Sequence, residues 1–341
     1  MPSERTLLST HDGAKQSPRA AWLAIARHAR RGLWRARLGL ALFALTLSLV
    51  ACARSQTVAP TPQAAPARLV PTAPPGLFLY RVERDGHASH LLGTIHLGFG
   101  FDEVLSAEAR RAFHGSRSVV TETDLGQDPA ARLVQAALLP QDQQLSQLLG
   151  EPAWSGLVER LGQQLPPPIL VRMKPWLPAV LLGLTELKQA FDEAKPGASQ
   201  RMMDMELMAR ARERQMTLLH LESVDEQIAV FEQISLEEQL SELRHALSDD
   251  SHGQARALVD AFASSDEQQL VRALFDAEQM KSAPGFYQTV LFARNERWLP
   301  TLEPLLSQGD TFVAVGAAHL FGEQGLLHAF RQRGYTITRV Y

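Results

Sequence analysis

Leu38 to Ala51 is an uninterrupted stretch of 14 residues without charge, and it ends on Cys52, the sole cysteine of the chain. Ahead of it stand Arg5, Lys15, Arg19, Arg27, Arg30, Arg31, Arg35 and Arg37 against only two acids, Glu4 and Asp12. The stretch is shorter than the roughly 20 residues a membrane-spanning helix needs, but it has the length of a signal-peptide core. Leu49, Val50, Ala51 and Cys52 have the form that lipoprotein precursors show where they are cut, just before the cysteine. Residues 1–51 are therefore expected to be a lipoprotein signal peptide, and Cys52 the lipid-bearing residue that tethers the rest to a membrane outside the cytoplasm. Ala53, in place of an Asp, points to the outer membrane, facing the periplasm, in a host that has one. The chain beyond a lipidated Cys52 must fold without a free thiol, so neither a disulfide framework nor a cysteine nucleophile is open to it.

Residues 52–75 are rich in Pro, Ala, Thr and Gln, the composition of an extended spacer that cannot bury a core. The remaining residues, 76–341, are enough for one large domain. Apolar residues make up 45% of the chain and charged ones 21%, which places it among globular proteins. Without residues 1–51 the chain holds 26 basic and 35 acidic residues, a net charge of −9, so nucleic acid is not an expected partner.

Two short aliphatic runs, Leu77 to Val82 and Ser89 to His96, flank Asp85 and Gly86 and read as a β-hairpin. A helix is expected over 103–114, then a β-branched strand over 118–121. The pattern is helical for nearly 90 residues beyond Asp124, broken at Pro140, Pro166 to Pro168, and Pro196. Thr217 to Leu221 reads as a further buried strand. Ser223 with Glu226, Ser235 with Glu238 and Ser265 with Gln268 have capping-box spacing, so helices should fill 225–306. The close is strand (311–317), helix (323–333), strand (335–340), an order that favours a parallel pair joined by a crossover. The expected class is α/β: a central mixed sheet of about five to seven strands with a large, mostly helical insert.

Gly93-Thr94-Ile95-His96 and Gly316-Ala317-Ala318-His319 each end an apolar strand run with the form Gly-x-x-His. Glu122 ends another, with Asp124 two residues on and expected on the same face. Open α/β sheets place their sites at strand C-termini. Were the three strands neighbours, two imidazoles and a carboxylate would converge, enough for a first-row metal or for general acid-base chemistry without one. The spacing is not specific by itself, since Gly325-Leu326-Leu327-His328 also matches, early in an expected helix. There is no H-E-x-x-H helix, no G-x-S-x-G elbow, no P-loop and no dinucleotide glycine fingerprint.

LLGTIHLG (91–98), VVTETD (119–124), LESVDEQ (221–227), Arg294 with Asn295, and VAVGAAHLFGEQG (313–325) together resemble the TraB/PrgY/GumN family, related to the Tiki metalloproteases, over roughly 77–340. The resemblance implies a metal-dependent hydrolase-like site with His96, Glu122 and His319 as metal ligands. It further implies a divalent transition metal, Mn or Co before Zn or Fe, and peptide-bond cleavage as in Tiki proteins, but not the substrate, for which exported or surface peptides are the expectation. Glu122 would be ligand or general base and Arg294 would steady developing charge. Asp204 is a candidate orienter of an imidazole, Glu222 could point to the same sheet edge as Glu122, and Asn295 recurs beside Arg294 in the family. A non-catalytic lipoprotein that binds peptide, haem or iron is the alternative.

Overall fold

A computed structural model describes residues 78–124, 130–275, 280–281 and 283–341. The expected signal peptide, Cys52 and the spacer over 52–75 lie outside them. Six strands form one mixed sheet: β1 (Phe78–Arg84), β2 (His87–Thr94), β3 (Ser118–Thr121), β4 (Thr217–His220), β5 (Thr311–Gly316) and β6 (Thr336–Val340). Their spatial order is β4-β3-β5-β2-β1-β6. With helices filling most of the remaining chain, the fold is α/β, as the sequence pattern predicts.

β1 and β2 form the expected hairpin, Arg84 opposite His87. Asp85 (φ 55°) and Gly86 (φ 82°) close it, two consecutive left-handed residues that give a two-residue turn the twist of its strands. β4, β3, β5 and β2 are mutually parallel, so their carboxyl ends share one edge of the sheet.

The closing β-α-β unit differs from expectation. β5 and β6 run in the same direction, but the hairpin lies between them: β5 pairs with β2 and β3, and β6 pairs with β1. Burial decides the placement. Every residue of β5 is buried, which only a central strand allows, whereas β6 has only exposed and half-buried residues and belongs at an edge. β4 is the opposite edge, and its Thr217 is exposed, so it is not the buried strand its apolar run suggests.

The insert is helical as expected. After α1 (Ala107–Gly115), capped by Ser106, its longest helix is α2 (Trp176–Ala194), whose Trp176 stacks on Phe231 with centroids 5.0 Å apart. Then come α3 (Met203–Glu213), α4 (Val224–Glu232), α5 (Leu236–Ala246), α6 (Ser251–Ser264) and α7 (Glu267–Leu274). The Ser223/Glu226 capping box starts α4, and Ser235 accepts from the Glu238 amide at α5. The third expected cap is displaced by one residue. Asp266 accepts from the Gln269 amide at 3.0 Å, while Ser265 ends α6 in a left-handed conformation, φ 59°. A carboxylate is the stronger acceptor at the positive end of a helix. A π-helical turn, Gln288–Phe292, leads into α8 (Ala293–Gln308), and α9 (Leu326–Gln332) precedes β6.

His90 of β2 stacks on Phe312 of β5, and its cross-strand partner is Arg81. Burial, with the Arg81 charge adding, pushes the His90 imidazole from 6.5 down to about 4. The unfolded chain therefore binds a proton that the folded chain refuses, and stability should fall as pH drops from 6.5 to about 4. His90→Gln should flatten that part of the profile of urea midpoint against pH.

Candidate functional site

The carboxyl ends of β3, β5 and β2 lie side by side, and each hands the chain to one site residue: Glu122, His319 and His96. The two Gly-x-x-His turns touch. A Cβ at Gly93 would lie 3.2 Å from the Ala317 Cα, so the glycine admits the other turn's backbone. His96 adopts a left-handed conformation, φ 57°, with the Leu97 amide donating to the Ile95 carbonyl around it. The helical insert holds this turn in place: the Met203 amide donates to the His96 carbonyl at 3.2 Å, and the Gly98 amide to the Arg201 carbonyl at 3.0 Å. That clasp also delivers Asp204 from the start of α3.

Arg294, wholly buried on α8, occupies the middle. Its Nη2 donates to Glu122 Oε2 at 2.6 Å and to Glu222 Oε1, and its Nε donates to Glu222 Oε2 at 3.2 Å. Its Nη1 donates to the Val290 carbonyl at 3.0 Å, from the π-helical turn, and to His319 Nε2 at 3.1 Å. A guanidinium carries five N–H groups, and all five have acceptors here. An oxyanion donor needs an N–H to spare, so in this arrangement Arg294 neutralises and positions the carboxylates instead.

The partners of His319 assign its tautomer. Arginine cannot accept, so Nε2 holds the lone pair, and Nδ1 donates to Asn295 Oδ1 at 2.7 Å. Asn295 is fixed in turn by its Nδ2, which donates to the carbonyls of His319 (3.2 Å) and Gln324 (2.9 Å). Burial, against the opposing pull of Glu122 and aided by Arg294, pushes the His319 imidazole down to about 3. His96 differs because its Nδ1 lies 2.9 Å from Asp204 Oδ2, while Thr94 Oγ1 donates to Asp204 Oδ1 at 3.1 Å. Burial disfavours the His96 cation, yet the adjoining Asp204 carboxylate outweighs it and the pKa is raised.

The two glutamates share one guanidinium unequally. Burial opposes ionisation of Glu122, but Arg294, the two imidazoles and the Gly316 amide, which donates to Oε1 at 2.7 Å, hold its carboxyl down at about 2. Burial keeps Glu222 above the usual carboxylate range although Arg294 pulls it down. Glu122 is thus the more readily ionised of the two.

His96, Glu122, His319, Arg294, Asp204, Glu222 and Asn295 belong to this one centre. Asp124 does not: it is half-buried and faces Arg212, 3.6 Å away. β3 ends at Thr121 and the chain turns, so the alternation that would put Asp124 beside Glu122 no longer applies. His328 lies on α9 within reach of Gln332, away from the centre. Three participants escape the sequence reading. Thr94 sits inside the first Gly-x-x-His, the Gly316 amide opens the second, and Trp298 packs its ring 4.4 Å from that of His319, under the Arg294 guanidinium. Trp298 does leave a signal in the sequence, since it stands one helical turn beyond Arg294. Among the described residues, no three His, Cys, Asp or Glu side chains are gathered as a ready metal cluster.

A mixed α/β sheet with a buried centre of two imidazoles, two glutamates and an arginine at its carboxyl edge defines the class. The sequence pattern of the TraB/PrgY/gumN family matches residues 78–339, and the chain belongs to that family. No curated protein and no solved structure matches it.

Removing the arginine alone would strand two buried carboxylates. Arg294→Gln should cost about 3–5 kcal/mol in urea unfolding, whereas Arg294→Gln combined with Glu222→Gln should recover much of that loss.

Proposed function

We propose that this protein is a lipid-anchored hydrolase that cleaves exported or surface peptides with the help of a divalent transition metal. One observation carries the reading: His96, Glu122 and His319, from three adjacent strand ends, meet in a single polar centre. The donors suit such an ion in kind. Both Nδ1 atoms face oxygen partners, Asp204 and Asn295, so Nε2, which in His319 accepts from Arg294 Nη1, is the nitrogen of each ring that would turn to an ion, as in metal-bound imidazoles. Two imidazoles and a carboxylate are compatible with Mn, Co, Zn or Fe, and the likeness to Tiki proteases favours Mn or Co. Bound there, the ion would supply a water acidified towards neutrality.

The chain's own residues do the rest. Glu122, held ionised, serves as ligand or as acceptor of the water's proton. Asp204 and Asn295 fix the imidazoles, and Arg294 balances the glutamate charges. Cys52, after the uncharged run over 38–51, supplies the anchor, and the spacer over 52–75 lets the domain stand off the membrane, expected to be the outer one on its periplasmic face. No described helix is long and apolar enough to cross a membrane.

A second reading, a lipoprotein that holds peptide, haem or iron without turnover, draws support from burial: His96, Glu122, Arg294 and His319 are each at most 2% exposed. The two are separated by metal analysis and a peptide-cleavage screen with Mn²⁺ or Co²⁺. For the hydrolase, His96→Ala or His319→Ala should abolish stoichiometric metal uptake and lower cleavage by about 10²–10⁴-fold with the fold retained. Asp204→Asn should weaken metal affinity about 10–100-fold. Metal content unchanged in both histidine variants would defeat the metal reading, and ligand retention without cleavage of any peptide would favour the binder.

A further inference from the structure

We infer that Trp298 is the centre's donor to the substrate, its indole N–H holding the scissile carbonyl oxygen as negative charge gathers on it. The inference rests on the hydrolase reading and names the residue that takes the oxyanion. Stabilising an oxyanion needs a fixed N–H that no internal acceptor uses. Arg294 has none, because Glu122, Glu222, Val290 and His319 take all five of its hydrogens. Other donors around it are also spent. Asn295 Nδ2 donates to the His319 and Gln324 carbonyls, His319 Nδ1 to Asn295, the Gly316 amide to Glu122, and the Thr94 hydroxyl to Asp204.

Trp298 differs. It is 1% exposed, and its buried Nε1 has no acceptor. An indole nitrogen can only donate, and a buried donor left unpaired destabilises the fold, so buried tryptophans usually find a partner. Here the unpaired N–H belongs to a ring clamped against the centre. Trp298 stands one helical turn beyond Arg294 on α8, and its ring lies 4.7 Å from the guanidinium carbon and 4.4 Å from the His319 ring. Both contacts fix the indole before any substrate arrives, which is what makes such a donor effective. In the reaction, water adds to the carbonyl carbon and passes a proton to Glu122, while the C=O electron pair moves onto the oxygen that Trp298 holds. The pair returns as the C–N bond breaks, and the amine leaves with that proton.

The test uses the full-length chain in detergent and a peptide that the wild type cleaves. Trp298 is replaced in two ways: Trp298→Phe, and a benzothiophene in place of the indole, which keeps the ring's shape and exchanges only N–H for S. Both should lower kcat about 10²-fold with KM little changed and the urea midpoint close to that of the wild type. An unpaired indole is not a sign by itself, since Trp176 Nε1 is also buried without an acceptor, but that ring stacks on Phe231 of α4. Trp176→Phe is therefore the control and should keep the wild-type kcat. A readout that needs no substitution is the ¹⁵N spectrum of labelled tryptophan. There the Trp298 indole proton should move downfield when a phosphonamidate analogue of the peptide, which carries the tetrahedral oxyanion, is bound. A wild-type kcat in the benzothiophene protein, or an indole signal unmoved at saturating analogue, overturns the donor role and leaves the hydrolase reading standing. A wild-type chain that cleaves no peptide overturns both.

Discussion

A guanidinium withdrawn from water persists only if each of its hydrogens finds an acceptor and its charge finds an opposite one. Arg294 meets that condition with groups from four separate places: the end of β3, the turn after β4, the π-helical turn before α8, and the turn after β5. These places are spread along the chain, so the network forms only when sheet and helices have docked together. This one buried cation ties the helical regions to the carboxyl edge of the sheet. It also sets the field in which the neighbouring carboxylates and imidazoles ionise.

That field separates groups of the same chemical type. His96, beside a carboxylate, is pushed towards the cation, while His319, beside an amide and a guanidinium, is kept neutral with its lone pair on Nε2. Glu122 is held ionised and Glu222 is pushed the other way. A site whose like groups are driven apart in proton affinity has the division of labour that acid-base chemistry needs. Thr94 and Asn295 contribute by fixing orientation: each spends its polar atoms holding a neighbour in place.

The parts of this arrangement written into local sequence are those that local physics decides. The Asp85-Gly86 hairpin, the serine caps at α4 and α5, and the two Gly-x-x-His turns are all readable, because backbone conformation and short-range hydrogen bonds depend on a few adjacent residues. Asp204 as the partner of an imidazole is also legible, through the family resemblance. Strand order is not, since the place of β5 between β2 and β3 comes from burial across nearly 200 residues or more of intervening chain. Nor is the saturation of Arg294, which exists only as a set of distances between remote groups. Asp124 misleads because strand alternation does not extend past the point where the strand ends.

The central strand of the sheet is contributed by residues 311–316, near the end of the chain, between strands made about 190 residues or more earlier. Until that segment emerges from the ribosome, β2 and β3 lack their shared partner, and Glu122 lacks both the Gly316 amide and His319. A nascent chain of this topology therefore keeps β2 and β3 without their shared partner until residues 311–316 have been made. Late closure postpones assembly of the polar centre until its last contributing turn has been made.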